Sequence, residues 1–146
     1  MNVFGNLNPD SKKASDIIKN KLYENSGVAT IVLQRGDLCR ISIAKDGNGF
    51  ISDKFSMQEM YFSVFDVIVD FLKEKGGKAP KGLGRGKDDK VGYGNCGSET
   101  ILYQIATKYY GKVEGESVFD PVFVLAAILD WAGIAENCRG YLRLYV

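Results

Sequence analysis

The sequence predicts an α+β fold, and two observations carry this prediction. Segments with the apolar spacing of amphipathic helices occur beside short β-branched runs of alternating polarity. Three such runs follow one another early in the chain, whereas helical segments dominate the later part, which is the arrangement of an α+β domain. At 146 residues the chain has the usual length of one domain. We therefore expect a single domain over residues 1–146, with the glycine-rich segment 76–97 as the place where a subdivision would fall.

A helix and a three-stranded antiparallel meander are predicted first. Pro9-Asp10-Ser11 is typical of a helix start, and apolar residues then recur at helical spacing as far as Leu22, before Gly27 ends the helix. Three β-rich runs follow, and turn residues separate them. The predicted strands are 28–34, 38–44 and a short one from Phe50, with turns at Arg35-Gly36-Asp37 and 46–49.

The next predicted element is a central apolar helix. Ser56-Met57-Gln58-Glu59 has the form of a capping box, in which the serine and the glutamate satisfy each other's backbone amides. The segment behind it is apolar on nearly all sides as far as Leu72, and Gly76-Gly77 ends it. A helix that is apolar all round is typical of a domain interior, so we expect the meander to pack against it.

A pair of helices and a final strand are predicted at the C-terminal end. Ser98-Glu99 opens a helix that continues to Tyr110. Asp120-Pro121 combines a capping residue with a proline suited to the first helical position, and the helix 122–135 follows. The segment Tyr141 to Val146 alternates aromatic or basic residues with aliphatic ones, which indicates a strand.

The composition excludes several classes of site. The chain has no histidine, so Ser-His-Asp triads, His-ligated metals and haem histidines are ruled out. Its cysteines, Cys39, Cys96 and Cys138, are odd in number and scattered, which favours a reducing compartment over a disulfide framework. The N-terminus does not look like a signal peptide, and the apolar run 122–129 is too short to span a bilayer. We expect a cytoplasmic protein without a membrane partner, a metal or a cofactor.

Positive charge is concentrated in one segment of a nearly neutral chain. Residues 73–90 hold seven basic and three acidic residues, a net charge of +4, whereas 1–72 carry −1 and 91–146 carry −2. Eight of the seventeen glycines lie in 76–97. Glycines let backbone amides approach an anion, so the segment is predicted to hold an anionic ligand, either nucleic acid or a phosphorylated small molecule. A mobile loop kept solvated by its charge would explain the same composition.

The predicted ligand-binding residues combine cations, a stacking ring and the start of a helix. Tyr93 could stack on a base or ring, and a helix beginning at Ser98 would add partial positive charge beside the anion. The full set is Lys78, Lys81, Arg85, Lys87, Lys90, Tyr93, Asn95, Cys96 and Ser98.

Two alternatives to a non-enzymatic binding module stay open. The first alternative is a histidine-free enzyme. It could use Cys96 as a nucleophile, because the position of this cysteine before the predicted helix would favour a thiolate. It could instead use carboxylates, since Asp88-Asp89-Lys90 together with Asp66 or Asp70 has the residue types of a divalent-ion nuclease site. We assign no catalytic residue, because the cysteine has no histidine to act as its base and would have to rely on Asp, Glu, Lys or Tyr, and because the acidic triplet lies in a glycine-rich segment. A protein–protein interaction domain, such as an inhibitor or accessory subunit, is the other alternative, since eight tyrosines and eight phenylalanines could supply an aromatic interface.

Overall fold

A computed structural model describes residues 12–55 and 59–146. They form a mixed α+β fold with two antiparallel sheets, which confirms the predicted fold class. The elements are α1 (Ala14–Glu24), β1 (Val28–Val32), β2 (Leu38–Ile43), β3 (Gly49–Ser52), β4 (Glu59–Tyr61), α2 (Ser63–Glu74), β5 (Lys78–Pro80), α3 (Ile101–Gln104, continued by a π-helical turn over Ile105–Tyr109), α4 (Val122–Trp131), β6 (Ala135–Cys138) and β7 (Tyr141–Leu144).

The first sheet is an antiparallel meander in the order β1-β2-β3-β4. Its buried and exposed side chains alternate because successive residues of a strand point to opposite faces. Ile31 pairs with Cys39, and both side chains face the core. Phe50 of β3 stacks on Phe65 of α2 with ring centroids 5.4 Å apart, so the sheet packs against the apolar helix as the sequence indicates.

The start of the central helix differs from the prediction. Residues 56–58 of the proposed capping box lie outside the described residues, and Glu59 belongs to strand β4. The helix α2 begins only at Ser63. Strand β4 is short, and its Met60 is buried between exposed neighbours while it pairs with Phe50 of β3. Pairing with β3 therefore converts the predicted first helical turn into a fourth strand of the meander.

A second sheet, in the order β5-β7-β6, joins parts of the chain that are distant in sequence. Strand β5 lies inside the predicted loop 76–97, and Ala79 pairs with Leu142 of β7, both buried. Helix α4 ends at Trp131, earlier than predicted, because Gly133 adopts a left-handed φ of +76° that terminates the helix. The residues after it form β6.

The core lies between the two sheets and is built mainly by α2 and α4. The side chains of Phe65, Ile68 and Leu72 on α2 are fully buried, and so are those of Leu125 and Ile128 on α4. Within the described part of the chain, no helix combines the length and the apolar character needed to cross a membrane.

Candidate functional site

A cleft of about 1070 Å³ opens where the β1–β2 turn, the segment after β5 and the start of α4 meet. We call it the basic cleft, because its lining includes five basic and three acidic side chains. The basic residues are Arg35, Lys54, Lys81, Arg85 and Arg139.

The five cations come from four separate stretches of sequence. Arg35 lies in the β1–β2 turn and Lys54 directly after β3, whereas Arg139 lies in the β6–β7 turn. The second sheet brings the last of these turns onto the segment after β5, and the amide of Lys81 donates to the carbonyl oxygen of Gly140 at 2.9 Å. The pairing of β5 with β7 thus brings Lys81 and Arg139, fifty-eight positions apart in sequence, to the same cleft.

These cations are free of carboxylate partners. Within residues 12–55 and 59–146, one ion pair has its nitrogen and oxygen within 4.0 Å, and it joins Arg143 to Glu136. Neither residue lines the cleft, so none of the five cleft cations takes part in an ion pair there. Asp120 lines the cleft, but Oδ2 accepts from the amide of Gly84 at 3.1 Å and Oδ1 from the amide of Val122 at 3.1 Å. Its carboxylate therefore accepts from backbone amides of the segment after β5 and of the start of α4, and among the described residues no carboxylate forms an ion pair with the cleft cations.

Asp89 holds the glycine-rich segment in a defined shape. The residue is only 6% exposed, and its carboxylate accepts from the backbone amide of Gly86 at 2.8 Å and from the backbone amide of Asn95 at 2.7 Å. These hydrogen bonds, that from Asn95 first, lower the pKa of Asp89 below its ordinary value. The Asp89 carboxylate thus joins two backbone amides that lie nine positions apart in the segment. This carboxylate also explains the Asp88-Asp89-Lys90 triplet: backbone amides occupy its oxygens, and no metal-holding group of three or more Cys, Asp or Glu side chains occurs in the described part of the chain.

We expect Asp89 to make stability depend on acid pH. A carboxyl whose pKa is lower in the folded than in the unfolded protein stabilises the fold above its unfolded pKa, and this contribution disappears as the pH falls through the folded pKa. The variant Asp89→Asn should therefore be less stable than the wild type at neutral pH, with the difference shrinking below pH ~4. Urea unfolding at several pH values measures this. A difference that stays constant down to strongly acid pH would contradict the assignment.

The structure gathers only part of the predicted binding set at the cleft. Lys81, Arg85 and Asn95 line it. Lys78 instead lies on β5 with its Nζ 4.2 Å from the ring centroid of Tyr141. The Nζ of Lys90 donates to Ser117 Oγ at 3.2 Å. Lys87, Tyr93 and Ser98 are exposed but are not part of the cleft lining.

The helix start predicted at Ser98 is wrong by three residues. Helix α3 begins at Ile101, and Thr100 caps it: its Oγ1 accepts from the amide of Tyr103 at 3.2 Å. Cys96 is fully buried in the core, and burial raises the pKa of its thiol above the ordinary value. The arrangement that would favour a thiolate at Cys96, an exposed position at a helix N-terminus, is absent.

Cys96 is consequently expected to be unreactive in the folded protein. With iodoacetamide at neutral pH, the half-buried Cys138 should be alkylated first, and Cys96 only after unfolding, because the reagent needs both access and a thiolate. Peptide mass spectrometry of native and urea-unfolded samples distinguishes the two sites. Fast labelling of Cys96 in the native protein, at a rate that does not vary with pH, would restore the enzyme hypothesis.

The sequence reasoning missed three of the five cleft cations, Arg35, Lys54 and Arg139. Two of them sit beside glycine in predictable turns, at Arg35-Gly36 and Arg139-Gly140, and this is the one signal the sequence carries for them. These turns belong to different sheets, so their meeting at one cleft depends on tertiary packing and not on a local pattern. Fewer aromatic side chains are left for the alternative protein–protein interface, because all seven phenylalanines of the described residues lie in the core or pack against it.

Comparisons with protein-family models, with curated proteins and with solved structures found no match for this chain.

Proposed function

We propose that this protein is a non-enzymatic binding module that holds an anionic ligand in the basic cleft. The observation that carries the proposal is the convergence of five basic side chains, without carboxylate partners among the described residues, on one concave site. A hydrogen bond between such a cation and an anion is worth about 1.5–3 kcal/mol, roughly twice a neutral one. The free cysteines of the described structure fit the reducing, cytoplasmic location that we propose for it.

The shape of the cleft favours a phosphorylated small molecule over nucleic acid. Its volume of about 1070 Å³ is slightly above the ~300–1000 Å³ typical of small-molecule sites. Apolar side chains such as Phe123 and Leu33 share the lining with the cations, and the guanidinium carbon of Arg85 lies 5.9 Å from the ring centroid of Phe123. A ligand that carries an anionic group on an apolar or planar body would contact both the cations and the apolar side chains of the cleft. A long nucleic acid would need a continuous basic track, and Lys78, Lys87 and Lys90 lie outside the cleft.

Calorimetric titration with three probes tests the proposal. The probes are inorganic pyrophosphate, adenosine 5′-monophosphate and a short single-stranded oligonucleotide, each at low and at moderate salt. We expect the nucleotide to bind more tightly than pyrophosphate, because it also contacts the apolar wall. Preferential binding of the oligonucleotide with a steep loss in salt would replace the small molecule by nucleic acid as the ligand. Absence of binding by all three probes at low salt would refute the proposal.

A further inference from the structure

Lys81 differs from the other four cations of the basic cleft in its burial and its partner. Arg35, Lys54, Arg85 and Arg139 are exposed, whereas Lys81 is half-buried. Its backbone is held on both sides: its amide donates to the carbonyl oxygen of Gly140 at 2.9 Å, and its carbonyl oxygen accepts from the amide of Leu102 at 3.0 Å. The side chain therefore leaves a rigid position and enters the cleft wall.

The amine of Lys81 has a neutral hydrogen-bond partner. Its Nζ donates to Asn137 Oδ1 at 2.6 Å. Asp130 positions Asn137 in turn. Its Oδ2 accepts from the backbone amide of Asn137 at 2.9 Å, and its Oδ1 accepts from the Tyr145 hydroxyl at 2.7 Å. A carboxylate in contact with Nζ would retain the proton of an ammonium, whereas an amide oxygen can accept from either an ammonium or a neutral amine.

Burial lowers the pKa of Lys81, and the opposing attraction of Cys138 and Asp120 is the smaller effect. A neutral amine is a nucleophile, and a lysine that loses its proton readily in an apolar or cationic site is the usual origin of Schiff-base chemistry in proteins.

We infer that Lys81 is a nucleophilic lysine that captures aldehyde or ketone groups of anionic ligands in the basic cleft. The Nζ lone pair attacks the carbonyl carbon and forms a C–N bond. The carbonyl oxygen then leaves as water, taking up two protons equivalent to those lost by the amine, and a C=N bond remains. The step needs no oxidant or reductant. The choice of an anionic ligand rests on the proposed function, whereas the nucleophilicity of Lys81 does not.

Reductive trapping with two aldehydes tests the inference. Pyridoxal 5′-phosphate serves as the anionic aldehyde and propanal as the neutral one. Borohydride then converts each imine to a stable secondary amine, and peptide mass spectrometry locates it. In the wild-type protein at neutral pH, we expect pyridoxal 5′-phosphate to modify Lys81 roughly fivefold or more faster than the exposed Lys87, because a larger share of the buried amine is unprotonated. Equal rates at the two lysines would overturn the inference without any variant.

Two variants sharpen the result. Lys81→Arg keeps the charge but removes the nucleophile and should abolish the fast labelling, whereas Lys87→Arg should leave it unchanged. Fast labelling that persists in Lys81→Arg would also overturn the inference.

Pyrophosphate separates this inference from the proposed function. If both aldehydes prefer Lys81 equally and pyrophosphate does not protect it, the nucleophilic lysine stands and the anion site fails. If pyrophosphate binds but neither aldehyde prefers Lys81, the nucleophilic lysine alone fails.

Discussion

Replacing Arg35, Lys54 and Arg139 together by alanine is expected to weaken binding of a phosphorylated ligand by roughly 1000-fold or more at low salt. All three side chains line the basic cleft, and each would be a charged donor to the anion. They are exposed and make no ion pair among the described residues, so their removal should leave the fold intact. Calorimetric titration of the variant with adenosine 5′-monophosphate measures the effect, and circular dichroism checks the fold.

The matched control is the triple replacement of Lys78, Lys87 and Lys90 by alanine. It removes the same number of positive charges, and these come from the segment with the highest charge density in the sequence. None of the three lines the cleft, so we expect a change of no more than about threefold, which moderate salt should suppress because distant surface charges are screened. If both triple variants weakened binding equally, total charge would govern binding and the basic cleft would not be the site.

The second large expected effect concerns Gly94, in the loop that Asp89 holds together. Gly94 has a φ of +58°, which costs a residue with a side chain about 1–2 kcal/mol. A Cβ at this position would lie 2.7 Å from the carbonyl oxygen of Asp88 and would also press against the Asp89 carboxylate. The backbone must then shift, and overpacking of this kind costs about 1–3 kcal/mol. Gly94→Ala should therefore lower the free energy of unfolding by about 2–5 kcal/mol in urea titrations.

Gly115→Ala provides the control for the conformational part of this effect. Gly115 also has a positive φ, of +87°, but no atom lies within 4 Å of the place where its Cβ would be. The difference between the two variants isolates the collision with the Asp88–Asp89 backbone and carboxylate. Gly94→Ala should also weaken ligand binding, since Asn95 lines the cleft and its amide is bonded to Asp89. Equal losses of stability in the two variants would contradict the predicted collision and show that the loop accommodates the extra Cβ without cost.

The elements predicted correctly are those whose signal is local. Helix α1 and strands β1 to β3 follow from apolar spacing and from turn residues within about ten positions of one another. Strands β4, β5 and β6 were missed because each has only three or four residues and is defined by its partner. Ala79, for example, becomes a strand residue by pairing with Leu142, sixty-three positions later. No local pattern contains that information.

For the candidate site, the sequence by itself determined the chemistry that is present and absent. It showed that histidine chemistry is impossible and that positive charge and glycine concentrate between residues 73 and 97. Only the tertiary structure decided which charges act together. It turned Lys78 and Lys90 toward other partners, buried Cys96, and brought Lys81, Arg35 and Arg139 to the same cleft. The physical reason is that composition and local period are set along the chain, whereas the meeting of distant turns is set by strand pairing and core packing.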